Sequence, residues 1–325
     1  MMKKIFALII LATALVSCYD EYVGDFDMNA VYFAYQTDVR SFIVGEGMKI
    51  QVGVNLAGVM VNNIDRNVGF QVDNALVTPA ILQTMQAGLA YIKNATLPVA
   101  NLLPIPANYY TLSNTGTMVI KSGQHTGVIT IKADSAAFLA DAATNIPTYA
   151  LALRITSADA DTIIKSKNYE VLALKYENML FGNYLHGGVT TVKDASGATI
   201  ETKVYYTAVN QGDTKIWTLT TAAPNAVVSN GFSDVTSTTK KEIVLTLSGN
   251  NVTVSSAPGS TNTYVADGAS TYNAARLLQE RKIFLNYKYV DGENTYYCKD
   301  TLTFRNRIRD GVNEWQDENP SHYGK

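Results

Sequence analysis

Few residues of this chain are typed and spaced for chemistry. There are three histidines: His125 in a Gln-His-Thr-Gly turn, His186 ahead of Gly187-Gly188, and His322 near the end. No two of them have metal-ligand spacing, so a turn or capping role is expected of each, and neither a metal nor a cofactor is implied. A Gly-x-Ser-x-Gly elbow is absent, and Gly45-Glu46-Gly47 lacks the third glycine and the helix that a dinucleotide loop needs. Asp25-Phe26-Asp27-Met28-Asn29 begins like a calcium loop. It then has Ala30 where the sharp turn needs glycine and Gln36 where the bidentate Glu should fall. Carboxylates are harder to dismiss, because a glycosidase needs only two acids about 5 to 9.5 Å apart, a distance that sequence spacing does not reveal. Asp159 with Asp161, and Glu314 with Asp317 and Glu318, are the visible clusters. Solvated charge at strand ends explains them with fewer assumptions, so no catalytic residue is named and no enzyme is expected.

Aromatic residues are the better lead. A sugar presents apolar C–H faces and hydroxyl edges, so its site wants a flat ring with polar groups around it. The chain holds 20 tyrosines and two tryptophans. Trp217 lies in Lys215-Ile216-Trp217-Thr218-Leu219, Tyr205 and Tyr206 in the run before it, and Tyr296 and Tyr297 beside Asp291-Gly292. Successive strand residues point to opposite faces, so each adjacent tyrosine pair places one ring away from the core. Trp217 shares a face with Leu219, which is also the pattern of a core residue. Trp315 is placed to pin the chain end.

The elements that must position these rings are strands. From Val31 to Tyr176, apolar residues alternate over seven short runs: 31–35, 48–54, 68–72, 117–120, 127–131, 149–155 and 169–174. Separated by turn residues, they predict an immunoglobulin-like β-sandwich. One interruption is helical: Pro79 to Ala95 carries Ile81, Leu82, Met85, Leu89 and Ile92 near a 3.6-residue period, with Thr78-Pro79 as cap and first turn, and is expected to cover a sheet edge or end. Pro98, Pro104 and Pro106 then mark a crossing loop. From Glu177 onward the rhythm becomes a meander of roughly eight strands. Turns are predicted at Asp194-Ala195-Ser196-Gly197, Gln211-Gly212-Asp213, Ser248-Gly249-Asn250-Asn251 and Asp291-Gly292, with a short helix between Asp267 and Glu280. The expected class is all-β, with a sandwich over 31–176 and an antiparallel domain over 177–325. The second domain is either a calycin- or lipocalin-like barrel or a second sandwich.

The first eighteen residues carry an address. Lys3 and Lys4 precede an apolar run from Ile5 to Val16, too short for a core that needs ~20 helical residues, so it reads as a secretory signal. Its end, Leu15-Val16-Ser17-Cys18, resembles the lipobox of bacterial lipoproteins, which implies that Cys18 becomes the acylated first residue of the mature chain. Residues 19–30 form a tether, and its acidic stretch Tyr19-Asp20-Glu21-Tyr22-Val23-Gly24-Asp25-Phe26-Asp27 looks like the export signals of surface lipoproteins in Bacteroidetes. With Cys18 acylated, Cys298 has no partner and the fold must hold without a disulfide. Charged residues are 17% of the chain and the net charge is −2, so no footprint for nucleic acid is present.

Further segments carry a wider resemblance: Asn108-Tyr109-Tyr110-Thr111-Leu112, Ile120-Lys121-Ser122-Gly123-Gln124-His125-Thr126-Gly127, Tyr149 to Thr156, Phe181-Gly182-Asn183-Tyr184, and Asp300 to Gly311. They are similar to two-domain lipoproteins encoded in polysaccharide-utilisation loci of Bacteroidetes. That resemblance implies an immunoglobulin-like first domain and a barrel-like second one, and assigns no binding residues. The expected function is therefore a lipid-anchored, non-catalytic glycan binder at the outer membrane, on the cell surface or the periplasmic face. Its partners would be oligo- or polysaccharide and, nearby, importer components or surface glycosidases. Two rivals stand beside it: a structural or adhesive envelope subunit, and a carrier of an apolar ligand inside a lipocalin-like barrel.

Overall fold

The computed structural model of the chain describes residues 26–207, 214–229 and 240–316. Cys18 and the signal segment, the Gln211-Gly212-Asp213 turn, Asp317, Glu318 and His322 lie outside the described residues.

Eleven strands make the first layered body: β1 (Ala30–Phe33), β2 (Thr37–Ile43), β3 (Lys49–Ala57), β4 (Arg66–Val72), β5 (Leu103–Pro104), β6 (Tyr110–Leu112), β7 (Thr117–Ile120), β8 (Thr126–Ala133), β9 (Tyr149–Ala158), β10 (Thr162–Ile163) and β11 (Tyr169–Glu177). One sheet has the order β10-β1-β3-β8-β6 and the other β2-β11-β9-β4-β7, with β5 beside β9. The sheets β1-β3-β8-β6 and β2-β11-β9-β4-β7 match the A-B-E-D and A′-G-F-C-C′ positions of an immunoglobulin-like sandwich, with the difference that the chain passes through β6, at the D position, before β7, at the C′ position. The chain enters the second sheet along β2, which lies parallel to the last strand β11 through seven registered pairs, from Thr37↔Val171 to Ile43↔Glu177. All seven alternating runs fall on strands. β2 is an addition, because its buried Asp38 and Ser41 break the apolar alternation that reveals the others. Between the sheets lies an apolar core that includes Val31, Phe33, Phe42, Val54, Met118, Ile131, Leu151 and Leu174. Each such side chain contributes about 1.5–3 kcal/mol by leaving water.

The expected helix forms as two pieces, α1 (Pro79–Ala87) and α2 (Ala90–Thr96), interrupted at Gly88-Leu89. Thr78 caps the first: its Oγ1 accepts from the Ile81 N–H at 3.3 Å, and Pro79 occupies the first turn. The break has a consequence for packing. Leu82, Met85 and Ile92 settle on Val39, Ala150, Ala152, Val171 and Ala173, so the pair covers the outer face of the second sheet and not its edge or end. The small alanines on β9 let the helices approach closely. A third short helix, α3 (Ser135–Ala140), is capped by Asp134 and buries Phe138.

The second body comprises β12 (Gly182–Lys193), β13 (Thr199–Tyr205), β14 (Lys215–Ala223), β15 (Ala226–Ser229), β16 (Ile243–Ser248), β17 (Asn251–Ser256), β18 (Val265–Ala266), β19 (Ser270–Tyr272), β20 (Lys282–Asp291), β21 (Asn294–Arg309) and β22 (Val312–Glu314). Pairing runs β12-β14-β15-β16-β17-β19-β20-β21, and β21 then pairs back onto β12 from Asn183↔Asn306 to Lys193↔Thr295. The ring is closed, so the meander is an up-and-down barrel and not a second sandwich. The predicted turns at 194–197, 248–251 and 291–292 join the expected strands, with Gly197, Gly249 and Gly292 at positive φ. The helix expected between Asp267 and Glu280 is instead strand β19 and a single 3-10 turn at Leu278–Glu280. Ala274 there has φ +53, off the helical path.

The two bodies meet through an ionic joint. The β2–β3 turn places Glu46 against the near end of the barrel, where its carboxylate accepts from Nη1 and Nη2 of Arg307 at 2.9 Å and lies 2.8 Å from Nη2 of Arg281. Arg281 and Arg307 are almost wholly buried, and Arg307 also donates to Glu314 at 2.6 Å. Burial alone would raise the Glu46 carboxyl. The hydrogen bonds and charge of Arg307, then of Arg281, outweigh it and hold the group below the ordinary carboxylate range.

Candidate functional site: the far end of the barrel

Strand β12 changes partner midway. Its first half, 182–186, pairs with β14, and its second half, 188–193, pairs with β13, with Gly187-Gly188 at the crossing. Gly188 has φ +118, and a Cβ there would sit 2.2 Å from the Lys299 carbonyl, so only glycine allows β12 and β21 to stay paired through the kink. The Gly-Gly following His186 is therefore structural. His186 is itself a strand residue, 2% exposed and pointing inward, and not the turn or cap expected of it.

Inside the barrel His186 begins a polar chain. Its Nε2 lies 2.9 Å from Asp300 Oδ1, and the other carboxylate oxygen of Asp300 accepts from the Tyr287 hydroxyl at 2.8 Å. The imidazole stacks on Tyr205 with centroids 4.2 Å apart and leans on Trp217 at 5.5 Å. Thr190 donates to Cys298 Sγ at 3.5 Å. Burial, and then the charge of Asp300, push the Cys298 thiol up to about 12, so it stays protonated and inert. Burial likewise drives the Tyr287 hydroxyl well above the ordinary phenol value, followed by Asp300, which fixes it as a donor.

Above this floor, toward the 291–293 turn, the wall is aromatic and opens to solvent. Tyr289 and Tyr296 are opposite one another across β20 and β21 and lie face to face, 4.7 Å apart with planes 6° from parallel. Tyr264 meets the edge of Tyr289 at 5.3 Å and of Tyr287 at 5.9 Å. Its hydroxyl is pushed to about 12 by burial and donates to the Lys241 carbonyl at 3.0 Å.

The five aromatic residues picked from sequence thus separate. Tyr205 and Tyr296 face the interior, half-buried, at this end of the barrel. Trp217 is fully buried and packs the lumen beneath them, so it is no solvent-facing platform. Tyr206 is exposed on the outside. Tyr297 also faces outward, with the ammonium groups of Lys193 and Lys288 5.0 and 5.6 Å from its ring centre. Sequence reading missed Tyr289, Tyr264, His186 and Asp300. The run Tyr287-Lys288-Tyr289 opposite Tyr296-x-Cys298-x-Asp300 is the signal that could have found them, since cross-strand register follows directly from the Asp291-Gly292 turn. Trp315 is exposed and pins nothing among the described residues. Asp159 and Asp161 are spent on loops, accepting from Asn67 and Asn29 respectively. Glu314 is spent on Arg307 and Arg309. No cluster of three or more metal-ligating side chains occurs among the described residues.

The class defined by this geometry is an immunoglobulin-type sandwich locked to a closed antiparallel barrel. Residues 26–162 match a family model described as "-like, N-terminal domain". A crystal structure of unknown function from Bacteroides ovatus aligns with a TM-score of 0.61 at 18% identity, covering 90% of this chain and 99% of that one. The likeness is one of fold, and it extends over both bodies. A multidomain protein including DUF1735, also from Bacteroides ovatus, aligns at a TM-score of 0.42 and 14% identity over 88% of this chain and 99% of that one. No curated protein matches.

Proposed function

We propose that the protein is a membrane-anchored, non-catalytic glycan-binding lipoprotein, accessory to polysaccharide capture and uptake, and that its sugar site is the far rim of the barrel. One observation carries the reading: the stacked, half-open Tyr289–Tyr296 pair standing above the buried His186–Asp300–Tyr287 chain. A pyranose ring offers the apolar face that such a wall receives, and the rim of a β-barrel is a recurrent place for that kind of site. The rival carrier needs a wide apolar lumen. Trp217, Tyr184 and Tyr287 are fully buried in the interior below the rim, which favours a shallow site over a deep apolar sac. Acylation of Cys18 would hold the protein at the outer membrane, where many tethered copies give avidity to individually weak sites.

The test uses soluble protein lacking residues 1–18, titrated against a panel of plant and host polysaccharides and their oligosaccharides. Tyr296→Ala and Tyr289→Ala are each expected to weaken binding about tenfold, the worth of one aromatic stacking contact, while leaving the far-UV spectrum unchanged. Retention by no glycan, or wild-type affinity in both variants, overturns the site. The anchor is tested separately by palmitate labelling, which Cys18→Ala should abolish.

A further inference from the structure

The end of the sandwich opposite the barrel carries an unusual loop. The segment 58–65 joins β3 to β4; its Asn62 is turned inward, while Met60, Val61 and Ile64 are turned out beside the exposed Asn63 and Asp65. Asn62 is 1% exposed: its amide nitrogen donates to the carbonyls of Lys121 and Gln124 at 3.0 and 3.1 Å, and its oxygen accepts from Arg66 Nε at 3.0 Å. Around this pinned centre Met60, Val61 and Ile64 project into solvent. The first described residues add to the same surface. The Phe26 N–H donates to the Gly58 carbonyl at 3.0 Å, and Gly58 is pressed so closely on this segment that a Cβ would sit 2.3 Å from the Met28 carbonyl. Phe26, Met28, Met60, Val61 and Ile64 are between 50% and 79% exposed. One such residue needs no explanation, but five on two touching segments make a patch.

We infer that this apolar end of the sandwich rests on a lipid surface, with Phe26, Met28, Met60, Val61 and Ile64 entering the headgroup boundary and the barrel held on the far side. The inference rests on the proposed acylation of Cys18. The chain joins the patch at Phe26, and at most ~3.3–3.6 Å per residue separates this point from Cys18, which confines the patch to within about 30 Å of the bilayer. A patch kept so close meets lipid more often than any other partner. Insertion of such side chains by ~5–10 Å is the ordinary mode of interfacial binding. The loop is also rigid enough to serve, because Lys121 and Ser122 bind Asp65 at 2.7 and 2.8 Å and fix its far end. β3 runs from Lys49, beside the ionic joint, to Ala57, beside the patch. The sandwich therefore separates the lipid from the barrel.

The experiment uses the full chain, produced in a lipoprotein-processing host and reconstituted in phosphatidylethanolamine–phosphatidylglycerol vesicles. A fluorophore sensitive to polarity is attached at Val61→Cys and, as the distant reference, at Val290→Cys beside the barrel rim. Cys298 is buried and does not compete. The label at 61 should emit to the blue of that at 290, be quenched by brominated acyl chains, and be about threefold or more less accessible to iodide. Acylated protein that sediments with vesicles while both labels quench equally with iodide overturns the lipid contact and leaves the anchor standing. A label at 61 shielded from iodide yet untouched by brominated lipid means a protein covers the patch, which also overturns it. Protein that takes up no palmitate overturns the anchor and this inference together.

Discussion

The sandwich interior is built from aliphatic side chains and phenylalanines, whereas the barrel interior is rich in tyrosine and polar groups. Among the buried residues of the sandwich core there is one tyrosine, Tyr176, while the barrel core holds Tyr184, Tyr264, Tyr272, Tyr287 and Trp217. Behind these rings the barrel also buries His186, Asp300 and, at its near end, Arg281 and Arg307. Apolar burial stabilises without needing a partner. Each buried polar group must instead find its partner or cost about 1–3 kcal/mol, and charged groups cost more. The first body buries Asp38, Asn62 and Glu170 around an apolar core, and the second places its buried histidine, carboxylate and tyrosine hydroxyls inside the barrel itself.

Three perturbations probe the contrast. The largest effect is expected at the joint between the bodies. Glu46→Ala would leave Arg281 and Arg307 buried without their shared counter-charge, a loss of about 3–5 kcal/mol, read as a lower urea midpoint. Because the Glu46 carboxyl is held below its unfolded value, its contribution is present above about pH 4.5 and fades as pH falls through the depressed folded value. An alanine variant that keeps the wild-type midpoint and the wild-type acid limb would mean the joint carries no stability.

Next comes a buried carboxyl inside the sandwich. Glu170 is buried, and loss of solvation, then the nearby charge of Asp38, push its carboxyl up to about 8. Its folded state therefore holds a proton that the unfolded chain releases near 4.5. The contribution is complete below that value and is lost as pH rises toward 8. Glu170→Gln should flatten this decline and be more stable than wild type by a few kcal/mol at the alkaline end, with the two proteins converging at pH 4. Parallel stability curves across that range would refute the assignment.

The smallest effect falls on the barrel floor. Tyr287→Phe removes the donor to Asp300 while keeping the ring, for a cost of about 1–3 kcal/mol. A change below 0.5 kcal/mol on the order-of-magnitude scale of a surface substitution would show the hydroxyl to be dispensable.

Much of the architecture was legible because it rests on local rules. The seven alternating runs, the Thr78-Pro79 cap and the glycine turns at 197, 249 and 292 each specify their conformation within a few residues. Barrel closure was not legible, since nothing in β12 announces that it pairs with β14, β13 and β21 together. The aromatic site was half legible. Alternation required one ring of each tyrosine pair to face inward but could not say which, and Trp217 sits deep because register puts it opposite Tyr184. His186 looked like a turn residue on account of Gly187-Gly188. The glycines in fact serve the close passage of β21, a contact more than a hundred positions away in the chain.

The parallel alignment of β2 and β11 has a mechanical side. The chain enters β2 from the Phe26 end of the sandwich and leaves β11 for the barrel, so a pull between those two ends would load these neighbouring parallel strands in opposite directions. Seven registered pairs loaded lengthwise must slide together, whereas a hairpin pulled from its open end unzips one rung at a time. The attachment is thus arranged to bear shear.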